Sequence, residues 1–283
     1  MTARQPFTTL CQQLARRRLC ARVDLHIHTT CSDGAYTPAE VVDLARRSGM
    51  PALAITDHDT IDGIVPARRA AASALEVIAG VELTAQYRGK SFHLLGYFFR
   101  LDDPSLVAAL ERQRQCRLER YRDLLEQLRK RGIQLEDGDL KRSNTLGRRH
   151  LAELLVKAGK ARTVRDAFIH YLKDGGVPLF GLPVADAIQS VRAAGGVAAW
   201  AHPPYDCTRE DLLGLRDLGL QAVEVDYPSC RPGLARELRS WARELGLAIT
   251  GGSDCHGPGP RAPGAGGITV EELERLRQNG SPG

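Results

Sequence analysis

An aspartate and two histidines occupy every second position of a short apolar segment, VDLHIH, at residues 23 to 28. Successive side chains of a β-strand point to opposite faces, so Asp24, His26 and His28 share one face and the apolar residues share the other. Neutral imidazole is a preferred ligand of Zn, Mn and Fe, so this face could hold a metal ion. Taken alone the pattern is weak evidence, because two solvated or core histidines would produce it as well.

Further histidines and carboxylates lie at or near the ends of other predicted strands. They are His58, His93, His202, His256, Asp33, Asp57, Asp59, Glu82 and Asp254. In α/β barrels the active-site groups gather at the C-terminal ends of the strands, so these side chains are expected to meet at one mouth. Several such clusters at one mouth predict a centre with more than one metal ion. By contrast, His170 lies in a predicted helix and is interpreted as a packed or surface histidine.

The elements that position these residues alternate along the chain. Thr37-Pro38-Ala39-Glu40 is a capping box that begins a helix over 38–48, and a second helix covers about 63–74. Such alternation predicts a parallel sheet with right-handed crossovers, and about seven strands of this kind can close into an α/β barrel. The strand-like segments are 22–28, 51–56, 76–83, 91–99, 195–202, 220–226 and 246–254.

The alternation stops between residues 102 and 182. A long helix beginning at DPSLV and ending at Gly132 is followed by two more predicted helices, in LGRRHLAELLVKAG and TVRDAFIHYLKDGG. The formal charge of the chain is +5, and the surplus of basic residues lies in this middle segment. We therefore predict four regions: a tail or short helix at 1–21, the first part of the barrel at 22–101, a helical insertion subdomain at 102–182, and the second part of the barrel at 183–283.

Composition excludes several classes of protein. No apolar run approaches the roughly 20 residues that span a bilayer, and the Arg-rich start lacks the apolar region of a secretory signal. The seven cysteines form no C-x-x-C pair, which is typical of free thiols in a reducing compartment. These features predict a cytoplasmic protein that has no membrane segment, and they suggest no obligate protein partner.

The motifs DLHIHTTCSDG, AITDHDTIDG, GVE, HLLGY, AHP and GSDCH, in that order, resemble those of the PHP-domain (polymerase and histidinol phosphatase) phosphoesterases. GRRHLAELLVKAG and AFIHYLKDGG are similar to the branch of nucleoside 3',5'-bisphosphate and 5'-nucleotide phosphatases, some of which trim short RNA from the 5' end. The resemblance covers about residues 22–257. It implies a distorted (β/α)7 barrel with a small helical insertion and two or three divalent ions (Mn, Fe or Zn).

The resemblance also implies a role for individual residues. The first metal would take His26, His28, Glu82 and Asp254; the second would share Glu82 and add His93 and His202; the third would take Asp33, His58 and His256. Arg148 and His150 would contact the substrate phosphate. Arg149 stands where the branch usually has Pro, and LKDGGVPLF lacks the usual Lys.

The predicted reaction is hydrolysis of a phosphomonoester by a hydroxide that bridges the first two metals. Asp33, His58 and His256 would act through the third metal, which would hold the phosphate together with Arg148. The expected substrate is a nucleoside 3',5'-bisphosphate or a 5'-mononucleotide. Two alternatives stay open: a 5'-3' exoribonuclease on short RNA, and a metal-binding interaction module without catalysis. An amidohydrolase fits the TDHD, GVE and SDCH motifs poorly.

Several residues have two interpretations. Asp24 could orient a ligand histidine or fill space, Asp57 could cap the barrel or take part in catalysis, and Asp59 could contact metal or water. The arginines of the long helix could form a solvated face or a basic wall that guides nucleotides; they are Arg112, Arg114, Arg117 and Arg120.

Overall fold

The computed structural model describes residues 22–135, 145–172 and 179–279. The predicted tail at 1–21 and most of LKDGGVPLF lie outside these ranges. The described strands are β1 (Arg22–Ile27), β2 (Ala52–Ile55), β3 (Glu76–Tyr87), β4 (Lys90–Tyr97), β5 (Leu182–Pro183), β6 (Val197–Trp200), β7 (Ala222–Asp226), β8 (Ala248–Gly251) and β9 (Ile268–Thr269). The described helices are α1 (Pro38–Arg47), α2 (Ile64–Ala71), α3 (Pro104–Lys130), α4 (Arg148–Lys157), α5 (Val164–His170), α6 (Val184–Ala193), α7 (Arg209–Asp217), α8 (Pro232–Leu245) and α9 (Val270–Gln278).

All nine strands belong to one sheet, in the order β8-β7-β6-β4-β3-β2-β1-β9, with β5 paired to β3. After β8 the chain returns to β1 through a parallel bridge between Ile27 and Cys255, so the sheet nearly closes on itself. The predicted α/β class and barrel architecture are therefore confirmed.

The prediction of a parallel sheet was wrong at β4, which runs antiparallel to both β3 and β6, and at the two-residue strand β9, which runs antiparallel to β1. At β4 the cause is the tight turn at Arg88 and Gly89, whose φ angles are 49° and 72°. Positive φ at both central residues is the geometry of a two-residue hairpin, and such a turn can join only antiparallel strands.

The sheet is buried on both faces. Along β2, Leu53 and Ile55 belong to the apolar cluster that packs against α1, α2, α6, α7 and α8, whereas Ala52 and Ala54 belong to a second cluster with α9. Because successive side chains of a strand point to opposite faces, the sheet separates two apolar layers. A sheet covered on both faces explains why its strands are nearly continuous apolar runs.

The described elements between β4 and β5 are the three helices α3, α4 and α5. They enclose an apolar cluster of their own, in which Tyr121 and Leu128 of α3 pack with Leu151 of α4. Helix α3 begins at an Asp103 side chain that accepts from the backbone N–H groups of Ser105 and Leu106. None of the described helices is long and apolar enough to cross a membrane.

Candidate metal centre

Nine side chains converge at the mouth of the barrel, and they are the nine to which the resemblance assigned metal ligation. Each has a nitrogen or oxygen within 4.0 Å of another member of the group. They come from β1, β3 and β4 and from the loops that follow β1, β2, β6 and β8. The members are His26, His28, Asp33, His58, Glu82, His93, His202, Asp254 and His256.

Glu82 lies at the middle of this cluster and is 1% exposed. Its Oε2 atom lies 3.4 Å from His26 Nε2 and 3.3 Å from His28 Nε2, while its Oε1 atom lies 2.9 Å from His93 Nδ1 and 3.0 Å from His202 Nε2. One oxygen therefore faces the β1 histidines and the other faces the β4 and β6 histidines. This arrangement suits a carboxylate that bridges two cations.

The spacing within the first group matches that of ligands around a common ion. The Oδ1 atom of Asp254 lies 3.6 Å from His26 Nε2 and 3.4 Å from His28 Nε2. Two ligand atoms each about 2.1 Å from an ion are about 3.4 Å apart at the tetrahedral angle. Among the described residues, His26 Nε2 and both ring nitrogens of His28 are buried without a hydrogen bond. A metal ion would satisfy these nitrogens, so the residues fit the group that the motifs imply.

A further group surrounds Asp33. Its Oδ1 atom lies 3.4 Å from His256 Nε2, and its Oδ2 atom lies 4.0 Å from His58 Nε2. His28 Nδ1 approaches the same carboxylate at 3.7 Å, so this histidine faces two groups rather than one. In the described part of the chain, three sets have ligand atoms close enough for one ion: His28, Asp33, His58 and His256; His26, His28 and Glu82; and His58, Glu82 and His93.

The carboxylates of the cluster are held ionised. Burial by itself would raise the pKa of Asp33, but the imidazoles of His256, His58 and His28 outweigh it, and the pKa lies well below its usual range. Burial would also raise the pKa of Glu82, but His58, His93 and His26 outweigh it and move the pKa well below its usual range. Ionised carboxylates beside imidazoles form the donor set that binds divalent transition metals.

Glu224 on β7 was not recognised in the sequence, and it supports both sides of the centre. This fully buried residue accepts a hydrogen bond from His26 Nδ1 at 3.1 Å through Oε1, and from the His202 N–H at 2.6 Å through Oε2. His202 has a φ of 28°, a conformation that L-residues rarely adopt. A carboxylate behind a ligand histidine fixes its tautomer and the direction of the ring.

Asp24 contacts His26 through the backbone and not through the imidazole ring. Its Oδ1 atom accepts from the His26 N–H at 3.2 Å and from the Ser253 N–H at 2.9 Å, and its Oδ2 atom accepts from the Gly264 N–H at 2.7 Å. These bonds connect β1 to the segment that carries Asp254 and His256. Arg261 from the same segment donates to Oδ2 of Asp254, leaving Oδ1 directed at the β1 histidines.

Asp57 and Asp59 flank His58 and have structural contacts. Asp57 accepts from the Thr29 N–H and hydroxyl, each at 2.7 Å, and thereby shapes the turn that leads to Asp33. Asp59 is fully buried and accepts hydrogen bonds from Thr84 and Arg117, and its predicted contact with metal or water stays a prediction. Both carboxylates hold the loops on which candidate ligands lie.

Arg117 does not belong to a solvated face. It is 7% exposed, donates to Asp59, and also donates to Thr84 Oγ1 at 2.8 Å. The sequence contained a signal for this, because Gln113, Arg117 and Tyr121 continue the apolar stripe of α3 at helical spacing. The neighbouring Arg112 and Arg114 are exposed, as a solvated face requires.

The helices of the insertion face the metal centre across a cavity of about 280 Å³. Its far wall includes Arg117, Arg120, Arg148 and Arg149 together with Phe168 and Phe180. The guanidinium of Arg120 lies 4.7 Å from the centre of the Phe180 ring, and that of Arg148 lies 5.8 Å from the Phe168 ring. The cavity thus joins a cluster of metal-ligand types to a wall of arginine and phenylalanine.

His150 lies behind this wall and is not among the residues that line the cavity. Its Nδ1 accepts from the Gly147 N–H at 3.1 Å, so its Nε2 carries the proton and donates to the Ser32 carbonyl at 3.0 Å. The direct phosphate contact implied for His150 stays a prediction, and in this structure the residue connects α4 to the Asp33 turn. His170 is exposed and pairs with Asp166, as a surface histidine would.

The family model of the PHP domain matches residues 24–160 of the chain. The chain is 34% identical to a 5'-3' exoribonuclease of Haemophilus influenzae over 84% of its length and 90% of that protein, and 34% identical to a 3',5'-nucleoside bisphosphate phosphatase of Chromobacterium violaceum over 90% of its length and 93% of that protein.

The fold agrees with a solved structure as well. The crystal structure of a candidate metal-dependent phosphoesterase from Bifidobacterium adolescentis superposes with a TM-score of 0.85 at 29% identity, covering 92% of this chain and 96% of that one. Similarity over nearly the full length of these proteins, together with the cluster of metal-ligand types at the barrel mouth, shows that the chain belongs to the PHP-domain family and is a metal-dependent phosphoesterase.

Proposed function

We propose that the enzyme removes the 3'-phosphate of nucleoside 3',5'-bisphosphates. The observation that carries this proposal is the two-sided cavity of about 280 Å³, called the nucleotide cavity below, which has metal-ligand side chains on one wall and guanidinium groups on the other. A substrate with two phosphates would place one at each wall. A 5'-mononucleotide has a single phosphate and would use only one of them, so we expect it to be the poorer substrate.

The centre is proposed to hold two or three divalent ions of the Mn, Fe or Zn type through the nine clustered side chains. When bound, such ions supply a nucleophilic water near neutral pH and neutralise the phosphoryl oxygens. The protein itself orients the ligand histidines through Glu224 and holds the Asp33 and His58 loops through Asp57 and Asp59. In this proposal Arg148 binds the second phosphate, and Phe168 supports its guanidinium.

A second candidate function is cleavage of short 5'-phosphorylated RNA, because the chemistry is the same. In a 3',5'-bisphosphate the bond between phosphorus and O3' joins the nucleoside to a terminal phosphate. In RNA the same bond joins it to a phosphate that carries the next nucleoside. The observation that favours RNA is a further cavity beside the centre, described below. An interaction module without catalysis is disfavoured, because all nine ligand positions carry a residue of the expected type.

We also propose that the enzyme acts in the cytoplasm. The described cysteines Cys31, Cys116, Cys207, Cys230 and Cys255 are free thiols, which supports a reducing compartment.

Phosphate release from Mn-loaded protein tests the proposed activity. The panel consists of adenosine 3',5'-bisphosphate, AMP and histidinol phosphate, and we expect the bisphosphate to have the highest kcat/KM. Arg148→Ala should lower kcat/KM for the bisphosphate about tenfold or more, since a charge-assisted hydrogen bond to phosphate is lost. Arg162→Ala is the matched control, because Arg162 is an exposed arginine of the same insertion. Equal rates on AMP and the bisphosphate, or an Arg148→Ala variant with unchanged kcat/KM, would contradict the proposal.

A further inference from the structure

A second cavity of about 230 Å³ lies beside the nucleotide cavity and shares Ser91 with it. Its base consists of Phe92 and Trp200, whose rings stack with centres 5.4 Å apart. Its rim includes Arg88 of the β3-β4 hairpin and Pro204 and Asp206 of the loop after β6. The volume is comparable with that of the nucleotide cavity, so it can accommodate a nucleoside-sized group.

The position of this second cavity is fixed by the strands that carry candidate metal ligands. Ser91 and His93 lie two positions apart on β4 and therefore share a strand face. Phe92 and Trp200 belong to the apolar layer on the other face of the sheet, and His202 follows Trp200 after one residue. The second cavity therefore extends from that other face and meets the nucleotide cavity at Ser91, beside His93, whereas the arginine wall of the insertion belongs to the nucleotide cavity alone.

Tyr205 lies on the loop at the rim of the second cavity, and its side chain is unusually exposed. It is 78% exposed, more than any other large hydrophobic residue in the described part of the chain. A hydrogen bond from the Cys207 N–H to the Pro204 carbonyl, at 3.0 Å, closes a turn that holds Tyr205 near its tip. Three peptide units separate it from His202, so their Cα atoms are at most about 11 Å apart.

The surroundings of Tyr205 suit a nucleic acid. The guanidinium of Arg231 lies 5.9 Å from the centre of the tyrosine ring, and Arg231 precedes helix α8. Exposed aromatic rings and arginine planes are the surfaces on which single-stranded bases stack. Among the residues that line the second cavity, the charges of Arg88 and Lys90 are matched by those of Asp206 and Asp211, and Arg88 pairs with Asp211 at 2.7 Å. The exposed ring of Tyr205 beside Arg231, rather than a net charge, therefore favours a stacked base.

We propose that Tyr205 and the second cavity bind the second nucleoside of a short 5'-phosphorylated RNA. This inference rests on the proposed function and extends it from mononucleotides to oligonucleotides. The 5'-phosphate of the first nucleotide lies at the arginine wall, and the first internucleotide phosphate lies at the metal centre. Water adds to phosphorus, the bond from phosphorus to O3' breaks, and O3' leaves as a hydroxyl after taking a proton. The phosphate stays on the second nucleoside, which lies against Tyr205.

The test compares two substrates on the same Mn-loaded variants, adenosine 3',5'-bisphosphate and a 5'-phosphorylated RNA trinucleotide. We expect Tyr205→Ala to leave kcat/KM for the bisphosphate unchanged and to lower kcat/KM for the trinucleotide about tenfold, the effect of losing one stacked base. Tyr205→Trp should restore the trinucleotide rate. Leu218→Ala is the matched control, because Leu218 is another exposed apolar side chain, at the opposite end of α7.

The two proposals fail in different ways. If the wild-type protein releases phosphate from the bisphosphate but Tyr205→Ala cleaves the trinucleotide as fast as wild type, the second site is refuted and the proposed function stands. If the bisphosphate is not hydrolysed, the proposed function is wrong. Calorimetric binding of a trinucleotide with a phosphorothioate at its first linkage then decides the second site, since Tyr205→Ala must weaken binding about tenfold for the inference to hold.

Discussion

Glu224 accepts a hydrogen bond from the Nδ1 atom of His26, and the two residues are both fully buried. The second oxygen of Glu224 accepts from the backbone of His202, so one carboxylate touches residues on both sides of Glu82. His26 and His202 approach different oxygens of that bridging residue. Glu224 therefore links the geometry of two proposed metal positions.

Replacement of Glu224 should weaken metal binding more than it weakens folding. We expect Glu224→Gln to lower the Mn affinity by about 10-fold to 100-fold, the usual cost of losing a carboxylate behind a ligand histidine. Titration calorimetry of metal-free protein measures this affinity. Glu271→Gln is the control, since Glu271 is an exposed glutamate of α9. An Mn affinity equal to that of wild type would show that Glu224 does not orient the ligands.

Removal of the metals should destabilise the fold. His26, His28 and His58 each have a buried ring nitrogen without a hydrogen bond, which a bound ion would satisfy. A ligand present at about 100 times its Kd stabilises the folded state by about 2.7 kcal/mol, so Tm should rise by several degrees when Mn is added to chelated protein. A variant with His26→Asn and His28→Asn should not respond. If the wild-type Tm were independent of Mn, the cluster would not be a metal site.

The nine clustered residues could be predicted because metal ligation requires particular side-chain types at strand ends, and those types are visible in the sequence. The residues that support them are harder to predict. Asp24 shares the strand face of His26, yet besides the His26 N–H its partners are the backbone N–H groups of Ser253 and Gly264, which lie far away along the chain. Such contacts depend on how the barrel closes, and no local pattern specifies them.

The role of Arg117 could not be predicted for a different reason. Its place on the apolar stripe of α3 is visible in the sequence, but a single arginine on such a stripe cannot be assigned a role until its partner is known. That partner is Asp59, which follows β2 and reaches α3 only because β3 lies between them with Thr84. Likewise, the antiparallel direction of β4 follows from the turn at Gly89, and the residues of the strands themselves do not specify it.

The buried pair of Arg117 and Asp59 should contribute to stability as a unit. Arg117→Met leaves the fully buried Asp59 carboxylate without its cation, and we expect a loss of about 3 to 5 kcal/mol in the free energy of unfolding. Combining it with Asp59→Asn should recover part of that loss, because the uncompensated charge is gone. Urea denaturation of the two single variants and the double variant measures this coupling. Additive losses would show that the ion pair is not the cause.

His150 bonds through its two ring nitrogens to the backbone of Gly147 and Ser32, so it is expected to affect the substrate through the adjacent Arg148. His150→Phe keeps a ring of similar size but removes both bonds, and kcat/KM for the bisphosphate should fall about tenfold, the cost of about 1.4 kcal/mol. If His150 works only by positioning Arg148, adding His150→Phe to Arg148→Ala should cause little further loss. A second full loss in the double variant would instead indicate that His150 contacts the phosphate independently.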